Sequence, residues 1–386
     1  MRQNRGMAGK PSRIAAVDCL RGLAIVLMAI DHIRDFVHAG AMTGSPTDLS
    51  RASAIVFLTR WITHFCAPTF AFTAGMGACF WLDRGHTRPQ LSRFLWTRGV
   101  WLILLELTVM RFAYYFNWTN RYPILLLVFW SLGASMVLLA ALIYLPIPVL
   151  ATLSLATIAL HNAITPPASL RLLFQPAAMQ LGGATLFFGY PVLPWLAVVA
   201  AGYCCGRLYR LDPERRRRIL IRMGAGATIA FLVIRALNHY GDPSHWSGPR
   251  FALSFLNVTK YPPSLDFLLM TLGPALILLA IFERHAPAVL VTFGRAPLFF
   301  FVAHFYLAHA ISVALAYVRY GAAASGFIWN PPPSMGAPRG LFPAGYGYPL
   351  WTVYVVWIFV VVALYPLCGR WAAWKATRRH WWLSYL

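Results

Sequence analysis

The apolar run Ile14–Val37 carries Arg21, Asp31, His32, Arg34 and Asp35, residue types that rarely enter a hydrophobic segment without a task. Each charge at the centre of a membrane helix costs about 2.5–3.5 kcal/mol on insertion scales, so a group of them needs a reason. Arg21 and His32 are eleven positions apart, three helical turns plus about 20°, which sets them on one face with Asp35 close by. Along the axis they stand roughly 16 Å apart. An imidazole flanked by Asp31 and Asp35 is suited to taking a proton from an amine or alcohol, or to accepting an acyl group itself. The competing reading is a packing network in which these groups only satisfy one another. The density of the cluster favours chemistry.

The next apolar run, 54–82, adds Arg60, Thr63 and His64. Arg60 and His64 are one turn apart and share a face, so Arg60 can counter a carboxylate or oxyanion while His64 assists proton transfer. An Arg60–Asp pair that merely clamps two helices is the equal alternative. Glu106 and Arg111 lie in the run 94–116, and His304 and His309 in 290–318. His304 is expected near mid-membrane and His309 at an interface, with Glu106 neutralising an arginine. In Thr292-Phe-Gly-Arg295-Ala-Pro297, Arg295 either meets a phosphate at a helix start or serves as one more topology-setting cation. The catalytic expectation is therefore His32, Asp31, Asp35 and His64, and the binding expectation Arg21, Arg60, Arg295 and His304.

The elements that hold these residues follow from composition. Of 386 residues 59% are hydrophobic and only 11% charged, against roughly 25% in an average soluble domain. The apolar runs approach or exceed the roughly 17–25 residues of a membrane-spanning helix and lack the period-two alternation of a barrel. The expected fold is all-α: a polytopic helical bundle of about ten spans, at 14–37, 54–82, 94–116, 122–145, 147–164, 186–206, 219–239, 263–283, 290–318 and 349–371. The first run is read as a retained span and not a signal peptide, since it holds charges and lacks a cleavage site. Arginines and lysines fall in alternate connections, which predicts that both termini are cytoplasmic. The whole chain, 1–386, forms a single domain with a basic tail at 1–13 and a second tail at 372–386.

The net charge of +22 sits between spans, so it reads as topology information and affinity for anionic lipid, not nucleic-acid binding. The run Arg215–Arg218 is assigned to a solvated or lipid-facing loop. The opposite connections, 165–185, 240–262 and 319–348, are rich in Pro, Gly and aromatics and can fold over an outward-facing cavity. Six cysteines imply no disulfide framework, and no zinc-spaced Cys/His set or nucleotide-type Gly-rich loop is present, so no metal is expected. Thirty arginines against three lysines point to a GC-rich genome and a bacterial inner (plasma) membrane.

In order along the chain, the strings Val17-Asp-Cys-Leu-Arg-Gly-Leu-Ala24, Met28-Ala-Ile-Asp-His-Ile-Arg-Asp35, Thr59-Arg-Trp-Ile-Thr-His-Phe-Cys-Ala-Pro68, Lys260-Tyr-Pro-Pro-Ser-Leu265, Phe293-Gly-Arg-Ala-Pro-Leu-Phe299 and Trp381-Trp-Leu-Ser-Tyr-Leu386 carry a resemblance. The chain resembles the bacterial branch of the heparan-alpha-glucosaminide N-acetyltransferase family, within the transmembrane acyltransferase superfamily. The resemblance implies acyl transfer across the membrane, from a cytosolic acyl-CoA, in the first place acetyl-CoA, to an amine or hydroxyl of an extracytoplasmic sugar or related small-molecule acceptor. It leaves open an acyl-histidine intermediate at His32 or direct transfer, and homo-oligomer formation as well. Eukaryotic members place asparagine where this chain has Asp31 and carry their proposed catalytic histidine further along, so heparan sulfate is not carried over as the substrate. The alternative function is a transporter or flippase using the same intramembrane His/Asp/Arg site; no paired halves with matching interrupted helices support it.

Overall fold

The computed structural model describes residues 14–42, 44–118, 122–325 and 345–378. The basic tail 1–13, most of the segment 326–348 and the closing string 381–386 therefore lie outside the described residues. Helix α1 spans Ala15–Val37. Helices α2 (Ala54–Ile62) and α3 (Cys66–Asp83) run on through a tight 3-10 turn at Thr63–Phe65. Helix α4 (Arg88–Leu105) opens with a reciprocal cap between Thr87 and Gln90 and then widens into a π-turn at Glu106–Met110 before α5 (Arg111–Tyr115). Strand β1 (Ile124–Leu126) precedes α6 (Val128–Leu142) and α7 (Ile147–Leu160). A short α8 (Arg171–Phe174), β2 (Ala177–Leu181) and β3 (Ala184–Phe188) lead into α9 (Val192–Gly206) and α10 (Pro213–Leu237). Then come α11 (Phe251–Leu256), α12 (Leu265–Phe282), α13 (Ala288–Arg295), α14 (Pro297–Tyr320) and α15 (Leu350–Thr377).

Six helical segments among the described residues are long and apolar enough to cross a membrane: Ala54–Asp83, Val192–Arg210, Pro213–Leu237, Leu265–Phe282, Pro297–Ser325 and Leu350–Thr377. The molecule is thus a predominantly helical, multi-pass membrane protein. Two expectations change. The fold is not purely helical, because β1 pairs in parallel with β3 and β3 antiparallel with β2. Residues 122–127 and 186–190, expected inside spans, form strands and turns. The span expected at 290–318 is also broken at Ala296, where the early proline starts α14 after α13 has ended.

Helix α1 lies centrally against α13, α14, α15, α3 and α12. Its contact with α13 is backbone to backbone. A methyl on Gly22 would sit 1.8 Å from the Leu290 carbonyl oxygen, and one on Gly294 would sit 1.7 Å from that of Asp18. Small residues at helix crossings let axes approach this closely in the absence of a hydrophobic drive between helices.

Candidate functional site

Near the start of α1, Asp18 and Arg21 line a cavity of about 1150 Å³, above the roughly 300–1,000 Å³ of an ordinary small-molecule pocket. Its other walls come from α3, α4, α6, residues 209–210, the start of α10, the α12–α13 connection, the end of α13, the start of α14 and Lys375. Arg21, Arg84, Arg98, Arg210, Arg216, Arg284, Arg295 and Lys375 line it against Asp18, Asp83 and Glu283, so cations outnumber acids eight to three. Arg216, assigned by sequence to a solvated or lipid-facing loop, instead reaches Glu283 at 2.7 Å from the first turns of α10. Arg295 lies at the end of α13, half exposed and 3.9 Å from Asp18. Arg21 donates to the Thr73 carbonyl at 2.6 Å.

Three turns along α1 a second, separate polar group forms. Asp31 is clamped by Arg34 at 2.9 Å and by Arg60 of α2, which also donates to Thr63 at 3.1 Å. Arg34 further pairs with Asp35 at 2.7 Å. The Arg60–Asp pair of the alternative reading is therefore present, and it ties α2 to α1 beside His32. The Nδ1 of His32 lies 2.8 Å from Nε2 of His304 on α14. The Nδ1 of His304 lies 2.9 Å from the Phe300 carbonyl oxygen. His304, expected to bind substrate or cofactor, is fully buried and has both ring nitrogens engaged inside the protein. His32 is partly exposed, in a box of aromatic rings with Phe305 at 4.1 Å and Phe301 at 5.8 Å. His64 is buried edge-on to Phe267, and its Nδ1 has no hydrogen-bond partner.

Sequence reasoning placed Arg21 and His32 on one face of α1, roughly 16 Å apart. The cavity that Arg21 lines stops at Ile25, Phe129 and Phe301, short of His32. Phe129 and Phe301, both on the cavity lining, lie 4.5 Å apart between centroids, and Phe301 stands between that lining and the His32 ring, 5.8 Å from it. A small apolar void of about 10 Å³ lies beside the cavity, sharing Phe70, Val128 and Leu132 with it and reaching Tyr190.

Tyr190 belongs to a part of the site that sequence reasoning missed. Its hydroxyl lies 3.2 Å from that of Tyr261, and the Lys260 ammonium sits over both rings at 5.9 and 5.2 Å. Lys260 is within electrostatic range of Asp31, His32 and His64. Two buried groups hold this loop. Asp242 accepts from the Thr259 amide at 2.7 Å and the Ser264 hydroxyl at 2.6 Å, while Arg235 donates to the carbonyls of Ser244, Ser254, Phe255 and Asn257. The only sequence signal was the string Lys260-Tyr-Pro-Pro, whose place near α1 no periodicity reveals.

One further expectation is corrected. Among the described residues Glu106 pairs with no arginine: it accepts from Tyr114 at 2.8 Å and from the amides of Phe129 and Trp130 at 2.8 and 3.1 Å, capping α6. His309, expected at an interface, is fully buried within the protein, donating to the Ala113 carbonyl and stacked between Phe36 and Phe116.

No curated protein matches the chain. The model of the heparan-alpha-glucosaminide N-acetyltransferase catalytic family matches residues 13–240. That stretch is more than half of the chain and runs from α1 through α10, holding Arg21, Asp31, His32, Asp35, Arg60 and His64, while Lys260, Arg295 and His304 lie beyond it. The chain therefore belongs to the heparan-alpha-glucosaminide N-acetyltransferase family.

Proposed function

We propose that this membrane acetyltransferase takes an acyl group, in the first place acetyl, from cytosolic acyl-CoA and transfers it to an amine or hydroxyl of an extracytoplasmic sugar or related acceptor. The observation that carries the reading is the division of α1 between two sites: a large basic cavity around Arg21 and, three turns away, a partly exposed imidazole in a charged cluster. The preponderance of arginine at the cavity end favours the cytoplasmic side for it by the positive-inside rule. A nucleoside polyphosphate suits a cavity lined by eight cations, with Arg21 and Arg295 among its contacts. The slender pantetheine arm is the part of the donor narrow enough to pass Phe129 and Phe301 towards His32.

At the far end the acceptor enters beside Tyr190, Lys260 and Tyr261. His32 takes either the acceptor's proton or the acyl group itself. Arg60 and Arg34 balance Asp31 and Asp35, and Lys260 remains as the extra cation next to the thioester oxygen as it gains charge. His64, with a bare buried Nδ1, stands ready as a second proton carrier.

The test is purified protein in lipid with acetyl-CoA labelled in the acetyl group. Release of CoA in the presence of a glycan acceptor, or label recovered on histidine, is the expected result. His32→Ala is expected to abolish transfer while preserving the thermal unfolding midpoint to within a few degrees. Full transfer by that variant removes His32 from the mechanism, and saturable solute uptake without CoA release would replace the enzyme by a transporter.

A further inference from the structure

A carbonyl oxygen accepts and never donates, which gives the two-histidine contact a direction. Since His304 Nδ1 faces the Phe300 carbonyl, its proton resides on Nδ1 and the neutral ring offers its lone pair at Nε2. His32 Nδ1, 2.8 Å from that lone pair, must then be the donor. The remaining nitrogen of His32, Nε2, carries a lone pair and has no hydrogen-bond partner among the described residues. His304 cannot turn away easily: it is fully buried, with the ring of Phe300 stacked 5.3 Å away and Phe305 4.9 Å away.

We propose that His304 is a positioning residue that holds His32 in the Nδ1-protonated form, so that Nε2 is the reacting nitrogen. This rests on the acyl-transfer reading given above. In direct transfer, Nε2 removes the proton from the acceptor N–H or O–H as that atom bonds to the thioester carbon. The carbon–sulfur bond breaks with its electron pair on sulfur, and the proton on His32 then passes to the thiolate to give CoA thiol. While His32 is an imidazolium, its Nδ1–H bond to His304 becomes charge-assisted and shorter, so the orienting group also stabilises the charge. The chain of donors ends at the Phe300 carbonyl, which cannot take up a proton. His304 therefore orients and shares charge but passes nothing on. A carboxylate commonly fills the orienting role beside a catalytic histidine; here Asp31 and Asp35 are both held by arginines, and an imidazole does the work.

The experiment has two arms on the full-length protein in bilayers. Nitrogen-15 NMR of histidine-labelled protein, with His32→Gln identifying the signal, is expected to show His32 protonated on Nδ1 and bare on Nε2. Protonation on Nε2 overturns the proposal whatever the activity. In the kinetic arm, His304→Leu is expected to lower kcat on the order of 100-fold with the KM for acetyl-CoA unchanged. His304→Gln, whose amide oxygen can accept from His32, is expected to recover most of the loss. Wild-type kcat in His304→Leu, or equal losses in both variants while both unfold at the wild-type temperature, overturns it. Absence of any acetyl-CoA turnover by the wild-type protein would sink the acyl-transfer reading instead, and the NMR arm would still report the tautomer.

Discussion

Asp31 shows why a single residue in this site must be read with its partners. It is 8% exposed and faces two guanidiniums, one from its own helix and one from α2. Replacing one member of a buried ion pair strands the others and costs about 3–5 kcal/mol, far more than the net worth of the pair. Asp31→Ala is therefore expected to lower the unfolding midpoint of the detergent-solubilised protein strongly. Asp35→Ala should lower it much less, since Asp35 is partly exposed and among the described residues bonds only Arg34. Equal midpoints for the two variants would show that the clamp on Asp31 does not hold α1 to α2. Residue types and spacing made this cluster visible in the sequence. The pairing within it was not visible, because His32 and His304 are 272 positions apart and share no local pattern.

Among the elements, α1 and α13 depend most on the absence of side chains. Their axes meet at Gly22 and Gly294, each pressed on the other helix's backbone. Gly294→Val forces the pair apart at the mouth of the cavity, with an overpacking cost of about 1–3 kcal/mol. It is expected to reduce stability and to raise the KM for acyl-CoA, because Arg21 and Arg295 move relative to one another. Gly226→Val on α10, where nothing lies within 4 Å, is the control and should change neither. Calorimetry and steady-state kinetics on the two variants check this; a wild-type Gly294→Val would remove the close crossing from the account. The capping of α4 by Thr87 and Gln90 and of α12 by Ser264 is readable in sequence. The capping of α6 by Glu106 is not, since the acceptor lies 23 positions upstream on another helix.

Across the whole molecule, the proposed seat of the acyl donor is a cavity lined by eight cations, so on that reading donor binding is electrostatic. Much of that attraction is screened as ionic strength rises, the Debye length falling to about 3 Å at 1 M salt. Acyl-CoA affinity is expected to fall steadily with added salt. Arg295→Glu should raise KM by about 10–100-fold, the equivalent of about one charge-assisted hydrogen bond, with little change in kcat. Titrations across salt concentrations and kinetics of the variant check both. A KM insensitive to salt and to Arg295 would place the donor elsewhere.

The amino-acid sequence by itself determined that the chain is a helical membrane protein and that α1 carries a polar face too costly to be idle. Hydrophobicity, charge and the 100° step are local properties, and they survive without knowledge of any contact. Only the tertiary structure decided which charges cancel, which imidazole nitrogen is bare, and where the cavity ends. Those facts depend on side chains from distant segments arriving at one place: Phe129 and Phe301 packing together on the lining of the cavity, Lys260 sitting over the Tyr190 ring, and His304 facing Nδ1 of His32. In a membrane interior each buried polar group must find its partner within the protein, and that partner is chosen by packing, which no periodicity along the chain encodes.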